Sequence, residues 1–304
     1  MKNNSIWLTG SRGFIGSYVK KRLIESGYNV KCLSNDVAGD EDLIEVDFSK
    51  PHQINHAISE FGVPRAVVHL GWGNTDDPHH DNHIKLNVDN SINLIDEMYS
   101  AGVQKIIFMG SSSEYGDLVG ALKEDEMLPE KLNNYIEGKR TVGKYGLDVA
   151  KKLNRDFINI RLFYTYGAGQ KENSLINQIY NCSLGNEDMN LSPCEHYRDY
   201  IHVSDVAIGI EKFLDVDGTH IVNLGSGTVI QLRSFVEKLW RSLGANSARL
   251  IFGAHEQPAT EQSQPKSYAD LRKLKKLTGW TPSLSIEEGI KKTIDALHNI
   301  NLQK

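Results

Sequence analysis

The chain alternates between short apolar runs and longer stretches whose apolar residues recur every three to four positions. The apolar runs fall at Ser5–Thr9, Asn29–Leu33, Leu43–Val46, Ala66–Leu70, Lys105–Met109, Phe157–Phe163 and His220–Leu224. Several are solidly apolar rather than alternating, which is how parallel strands covered on both faces read. Helices are predicted between them at Phe14–Ser26, His52–Phe61, Ile84–Ala101 and Asn134–Leu153. Such strand–helix alternation, with right-handed crossovers, predicts an α/β fold built on a doubly wound parallel sheet. After Gly167 the pattern loosens into Gly-, Asn- and Pro-containing loops, with helices predicted at Gln231–Leu243 and Ile286–Leu297. A smaller, mostly helical lobe over the C-terminal edge of the sheet is expected, and open α/β sheets bind ligands at that edge.

Of the 304 residues, 39% are hydrophobic and 24% charged, enough apolar material for a sizeable core and too much for a disordered chain. The net charge of −5 gives no electrostatic footprint for nucleic acid or an anionic membrane surface. Any anionic ligand must be caught by local groups. Cys32, Cys182 and Cys194 are odd in number and lack a CxxC pair, which speaks against a disulfide framework or structural zinc. The opening MKNNSIWLTG is not built like a signal peptide, and no apolar run reaches the roughly 18–20 residues of a membrane span. A soluble cytoplasmic protein with reduced cysteines is expected.

Thr9-Gly10-Ser11-Arg12-Gly13-Phe14-Ile15-Gly16 leads from the first strand into the first helix. Gly10 permits a tight turn, Gly13 lets the backbone approach a pyrophosphate, and Gly16 allows close helix–strand packing. The helix opening at Phe14 and Ile15 offers unpaired N–H groups and a positive dipole end to phosphates, so a dinucleotide site is expected here. At the end of the second strand Ser34 stands where a ribose-binding carboxylate normally sits, with Asp36 displaced by two. Arg12 could meet a 2′-phosphate. These residues favour NADP(H); NAD(H) is the alternative, with Asp36 as ribose ligand and Arg12 a solvated charge. The expected division is a dinucleotide-binding domain over residues 1–166, with 199–224 returning to it, and a substrate lobe from 167–198 and 225–304.

Tyr135 and Lys139 are spaced i, i+4 on a predicted helix, which puts phenol and ammonium on one face. A free tyrosine is a poor base at neutral pH. A neighbouring Lys⁺ and a nicotinamide cation would favour the phenolate and ready the pair for proton transfer. Ser111, at the end of the fifth strand, could hydrogen-bond a substrate oxygen. The polar run Asp76–His83 reads as a loop rather than a metal site, so no metal is expected. Trp7 and Trp240 read as core, whereas Trp72 follows a turn at the ligand-binding edge.

Taken together, these motifs resemble the extended short-chain dehydrogenase/reductase family, in its nucleotide-sugar epimerase/dehydratase branch, along nearly the whole chain. Asp47-Phe48 resembles the family's adenine-contacting pair, His69-Leu70-Gly71 its HLAA turn, and Asn87 a helix asparagine of the family. Arg161–Gly167 is similar to RxxNVYGP, Arg198–Val203 to RDYIHV, Asn223–Gly227 to NIGSG, and Leu277–Pro282 to LGWxP. The resemblance implies a Rossmann-type sheet, with Tyr135 as acid/base. It further implies that Lys139 holds the nicotinamide ribose and that Ser111, with Ser112, binds the sugar oxygen. Arg198 would contact the diphosphate of a nucleotide-diphosphate sugar, the other reading being a structural salt bridge. A homodimer through the Ile84–Ala101 and Asn134–Leu153 helices is also implied.

Departures narrow the reaction. Sugar 4,6-dehydratases carry a glutamate where this chain has Ser113, and Glu114, one residue later, should point the other way, which argues against dehydration. Tyr164 replaces the RxxN asparagine and Ala168 the following proline, altering the substrate wall. No arginine for the second phosphate stands in Gln257–Lys266, where Lys266 is the substitute. The resulting expectation is reduction of the C4 keto group of a nucleotide-linked 4-keto-6-deoxyhexose. The alternative is a 4-epimerase with tightly held NAD⁺. A third reading is a catalytically silent dinucleotide sensor.

Overall fold

The structure, a computed structural model, describes residues 4–37, 43–130, 133–185, 187–256 and 266–302. Its main sheet has seven parallel strands: β1 (Ser5–Thr9), β2 (Asn29–Ser34), β3 (Leu43–Glu45), β4 (Ala66–His69), β5 (Lys105–Met109), β6 (Asp156–Leu162) and β7 (Thr219–Leu224). Their order is β7-β6-β5-β4-β1-β2-β3. The chain therefore starts in the middle, builds to one edge and returns to build to the other. The reversal lies between β1 and β4, paired Thr9 to His69, and a crevice opens at such a point.

Alternate residues of each strand feed opposite faces. Ile6 and Leu8 of β1 and Ile107 of β5 join one apolar cluster, with Val19 and Leu23 of α1 (Phe14–Glu25). Trp7, Ile106 and Phe108 join the other, under α2 (Pro51–Phe61), α3 (Asp89–Ser100) and α4 (Asn134–Leu153). Both faces are covered, which is why β4 and β5 read as unbroken apolar runs.

Beyond β6 the structure adds α5 (Leu175–Leu184), α6 (Val203–Phe213), α7 (Leu232–Ser242), α8 (Arg272–Thr278) and α9 (Ile286–Leu302). Helix α6 packs beside α1 on the main sheet, and β7 closes its edge. Helices α5, α7 and α9 instead enclose a separate core of Tyr166, Ile179, Phe235, Val236, Trp240 and Ile290. Among these late helices, α5, α6 and α8 were not expected from the hydrophobic pattern.

The predicted helix Ile84–Ala101 is not one regular element. It opens as a π-helical turn over His83–Val88 and continues as α3. The apolar residues of α3 and α4 reach the core beneath them to different depths. Leu94, Ile95 and Val142 are fully buried in the core beneath α3 and α4, and Ile92 and Val149 pack against it.

Helix α4 carries glycines at 138, 143 and 146, each costing about 1 kcal/mol of helix propensity relative to alanine. Close approach explains them. A Cβ at Gly146 would lie 2.1 Å from the Phe157 ring, one at Gly143 2.4 Å from the Asn159 amide, and one at Gly138 2.7 Å from the His83 carbonyl. The helix is thus drawn hard against the sheet, and Tyr135 and Lys139 on its first turns come to the strand ends.

Candidate active site

The glycine loop is wound tightly against the turn after β4. Gly10 adopts φ +73°, and a Cβ there would stand 2.8 Å from the Gly71 nitrogen. A Cβ at Gly16 would stand 2.0 Å from the Gly10 carbonyl, so only glycine fits. Gly13 is the N-cap of α1, no side chain caps the helix, and its first turn holds no acidic residue. Its N–H groups and dipole end are therefore available to an anion. A narrow cradle set by three glycines and ending in an uncapped helix fits a dinucleotide pyrophosphate.

The loop is locked from below by a directed chain of hydrogen bonds. The Gly71 N–H donates to Thr9 Oγ1 (2.9 Å), Thr9 meets His69 Nδ1 (2.7 Å), His69 Nε2 meets Ser91 Oγ (2.9 Å), and Ser91 donates to the Asn87 carbonyl (2.6 Å). Because Ser91 must donate onward, His69 carries its proton on Nε2 and accepts from Thr9. Burial and the charge of Lys139 hold this histidine neutral, its pKa pulled down to about 3. Asn87 clasps Gly73 from both sides, accepting from its N–H (3.1 Å) and donating to its carbonyl (3.0 Å).

At the far end of β2, Ser34 donates to the Asp36 carbonyl (2.8 Å), and Arg12 is not free. Its guanidinium lies 3.2 Å from the Asp36 carboxylate and also bonds the Asp36 carbonyl. The two residues weighed as rival cofactor ligands are thus partners. Asp47 is engaged locally, accepting from Ser49 and Lys50, which lower its pKa to about 2. Phe48 rests on the core and its carbonyl accepts from Asn93 (3.0 Å).

Ser111, Tyr135 and Lys139 meet in a cavity of about 330 Å3, bounded by Phe14, Ile15, Leu70, Trp72 and Tyr164. Ser111 ends β5 as the N-cap of a short 3-10 turn, its Oγ accepting from the Ser113 N–H (3.1 Å). Tyr135 is placed by α4, whose start is clamped to the loop before the π-turn. The Tyr135 N–H donates to the Pro78 carbonyl (2.9 Å), and the Asn134 amide to that of His79 (2.7 Å). The Lys139 ammonium donates to the Met109 carbonyl (2.7 Å) and stands 3.9 Å from the centroid of a Trp72 ring.

Tyr135 and Lys139 share a buried setting. Burial dominates at both groups. It raises Tyr135, against the lowering effect of a hydrogen bond from Ser111, and pulls Lys139 down to about 7 against the attraction of Glu114. Desolvation penalises whichever form is charged, so the pair rests closer to neutral phenol than to phenolate.

A second cavity, of about 380 Å3, shares Ser112, Ser113, Phe163 and Tyr164 with the first and continues to Tyr197 and Arg198. Arg198 is 7% exposed. It donates to the Tyr197 carbonyl (3.0 Å) and stacks 4.4 Å over Tyr164. No ion pair to it occurs among the described residues, so its charge is not spent on a structural bridge. Its neighbour Asp199 is the anchor instead, accepting from Ser226, Gly227 and Ala269. Lys266 lies 4.2 Å over the Tyr197 ring. The stretch Gln257–Pro265 lies outside the described residues.

Glu114 faces away from the cavities, as its spacing suggested. The Asp76–His83 run is taken up by its own turn: Asp77 accepts from the His79 N–H, Asp81 from Lys85, and Asp76 pairs with Lys171. Trp7 and Trp240 are buried, while Trp72 lines the first cavity. Sequence reasoning missed His83, which is buried and in contact with both Trp72 and Tyr135.

Residues 6–225 match the model of the NAD dependent epimerase/dehydratase family. Among similar proteins, the UDP-glucuronate 4-epimerase of Thermodesulfobacterium geofontis is 25% identical, over 98% of this chain and 97% of its own. The dTDP-4-dehydro-6-deoxyglucose reductase of Escherichia coli is 24% identical, over 97% of this chain and 98% of its own. In structure, a UDP-glucose 4-epimerase of Bifidobacterium longum in complex with NAD⁺ and UDP superposes with a TM-score of 0.83 at 20% identity, covering 97% of this chain and 98% of its own. RMD of Pseudomonas aeruginosa complexed with NADPH gives 0.82 at 20% identity, covering 97% of each chain. The family match spans well over half of the chain, and the chain belongs to the NAD dependent epimerase/dehydratase family.

Proposed function

We propose that this enzyme reduces the C4 keto group of a nucleotide-linked 4-keto-6-deoxyhexose. The observation that carries the reading is the meeting of Ser111 and Tyr135 in one cavity, a hydroxyl that can bind a carbonyl oxygen beside a phenol that can protonate it, with no carboxylate among the described residues lining it. Glu114, the nearest acid in sequence, is committed to Arg161, which leaves reduction better supported than dehydration.

A dinucleotide held at the glycine loop would supply the hydride. Gly10, Gly13, Phe14, Ile15 and Gly16 hold its pyrophosphate, Leu70, Gly71 and Asn87 shape the wall beside it, and Asp47 with Phe48 meets the adenine. Ser111 donates to the C4 carbonyl oxygen, fixing the sugar and polarising it. Tyr135 gives its phenolic proton to that oxygen as negative charge develops, and Lys139 stabilises the phenolate left behind. Ser112 and Tyr164 border the sugar. Arg198 takes the diphosphate through a charge-assisted hydrogen bond, for which it has no competing carboxylate among the described residues.

For the cofactor, Arg12 supports NADPH because it can leave Asp36 for a 2′-phosphate. The same pair supports the second reading, a 4-epimerase with tightly held NAD⁺, because Asp36 can accept from ribose hydroxyls while Arg12 stays in place. Similar proteins carry names of both kinds, and structural neighbours bind NAD⁺ or NADPH. Acid-quenched, freshly purified protein tells them apart. Little or no released NAD⁺ is expected; stoichiometric NAD⁺ would favour the epimerase. A silent sensor is addressed by Tyr135→Phe, which should lower turnover by roughly 100-fold to 10,000-fold, the usual worth of a positioned general acid.

A further inference from the structure

Lys139 lies in an unusual setting for a cation. It is 3% exposed, and it has no carboxylate within ion-pair distance among the described residues. Among the described residues its hydrogen bond is to the Met109 carbonyl, at 2.7 Å. What faces it otherwise is aromatic: Trp72 at 3.9 Å, Phe108 at 5.1 Å and Tyr135 at 5.9 Å from ring centroid to ammonium. The charged or titratable groups that act on it are Glu114, whose carboxylate is committed to Arg161, and His69, which is neutral.

Trp72 is itself held. Its Nε1–H donates to His83 Nδ1 (3.0 Å), which leaves the His83 proton on Nε2, donating to the Asp77 carbonyl (2.8 Å). The indole and imidazole lie nearly parallel, 17° apart, and Tyr135 meets the imidazole edge-on at 5.3 Å. His83 opens the π-helical turn, an irregularity that is uncommon in helices and frequent at functional sites. A Cβ at Gly138 would lie 2.7 Å from the His83 carbonyl and 3.1 Å from the Trp72 ring, so α4 is seated directly on this pair.

We propose that Trp72 is a positioning residue for Lys139. Its indole face holds the buried ammonium in the charged form, and its anchorage on His83 fixes where that ammonium enters the cavity. The negative face of an indole attracts a cation most strongly when both are desolvated. Burial works the other way at this lysine, and the ring face offsets it. With one N–H on Met109 and the indole face beside it, the ammonium keeps a further N–H for the cavity it lines. For turnover this rests on Lys139 acting with Tyr135, but the charge state of the lysine can be read without substrate.

The test is carbamoylation by cyanate, which reacts with amines only in their neutral form. The rate at Lys139 is followed by peptide mass spectrometry between pH 6 and 10 in wild type, Trp72→Phe and Trp72→Leu. Trp72→Leu should move the Lys139 midpoint down by about one pH unit, the worth of a desolvated cation–π contact. Trp72→Phe, which keeps a ring but loses the N–H to His83, should move it less in the same direction. If Trp72→Leu does not fold, a downward shift in Trp72→Phe alone supports the proposal and an unmoved midpoint overturns it. An unmoved or raised midpoint in Trp72→Leu, or equal shifts in both variants, also overturns it. Turnover measured in parallel should lose its alkaline limb at correspondingly lower pH. Normal labelling shifts with no turnover on any nucleotide sugar would count against the proposed function and leave this inference standing.

Discussion

Glu114 grips Arg161 in the interior, Oε2 to Nε at 3.0 Å, with side chains only 2% and 4% exposed. Its other oxygen accepts from the Ser111 N–H at 3.1 Å. One carboxylate therefore joins the floor of the protein to the backbone of the serine that faces the cavity. It cannot also serve as a base there, and this is the physical content of the departure from the dehydratase pattern.

Breaking one side of a buried pair leaves the other charge uncompensated, a loss of about 3–5 kcal/mol. Glu114→Ala should lower stability by that order, seen in the urea midpoint, and should also raise KM because Ser111 loses its backbone tie. Glu114→Gln should do less on both counts. If Glu114→Ala unfolds at the wild-type midpoint, the pair is not structural in this sense.

Arg12 and Asp36 should sort the cofactors in opposite directions. Arg12→Ala removes the 2′-phosphate partner and should weaken NADPH about tenfold, as expected for one charged hydrogen bond, with little effect on NADH. Asp36→Ala should weaken NADH and favour NADPH. Dissociation constants from nicotinamide fluorescence would check this, and parallel losses for both cofactors would be incompatible with it.

Buried histidines, His69, His196 and His202 among them, make stability depend on acid. His69 is held near 3 and His202 near 4 by burial, against 6.5 in an unfolded chain. Below 6.5 the unfolded state therefore binds more protons than the folded one, and stability falls as pH drops from about 6.5 toward those values. Each contributes a slope of up to about 1.4 kcal/mol per pH unit in that window. Denaturant midpoints at pH 7, 6 and 5 should fall progressively. His69→Gln, whatever its stability at pH 7, should show a shallower decline, and an unchanged slope would be evidence against the assignment.

Gly146→Ala gains helix propensity yet places a methyl 2.1 Å from the Phe157 ring. The gain is about 1 kcal/mol and the overpacking about 1–3 kcal/mol. Net destabilisation is expected, together with reduced turnover as α4 lifts Tyr135 and Lys139 away from Ser111. A more stable, fully active variant would mean that the helix is not held by this contact.

The order of strands and helices was legible because a sheet covered on both faces must be apolar throughout, as Ala66–His69 and Lys105–Met109 are. The glycine loop and the Tyr135–Lys139 spacing were equally plain, since each depends on neighbours in sequence. What stayed hidden is what depends on neighbours in space. Nothing local marks Ile84 as lying within a π-turn, or joins Trp72 to His83 and Lys139. Arg161 and Glu114 are 47 residues apart, as are many pairs that never meet. Apolar periodicity in α3 and α4 could not say whether Leu94 and Val142 face the core or a second subunit, because both readings produce the same stripe. The resting charge of Tyr135 depends on burial, which spacing alone does not report.

Absorbance near 340 nm tests the central claim most directly, with purified protein, NADPH or NADH, and a panel of nucleotide-linked 4-keto-6-deoxyhexoses, the sugars being analysed from the same samples. Loss of absorbance stoichiometric with reduction of one keto-sugar at C4 is expected. A flat trace, with ordinary nucleotide hexoses converted to their 4-epimers, would contradict it and make the protein an epimerase.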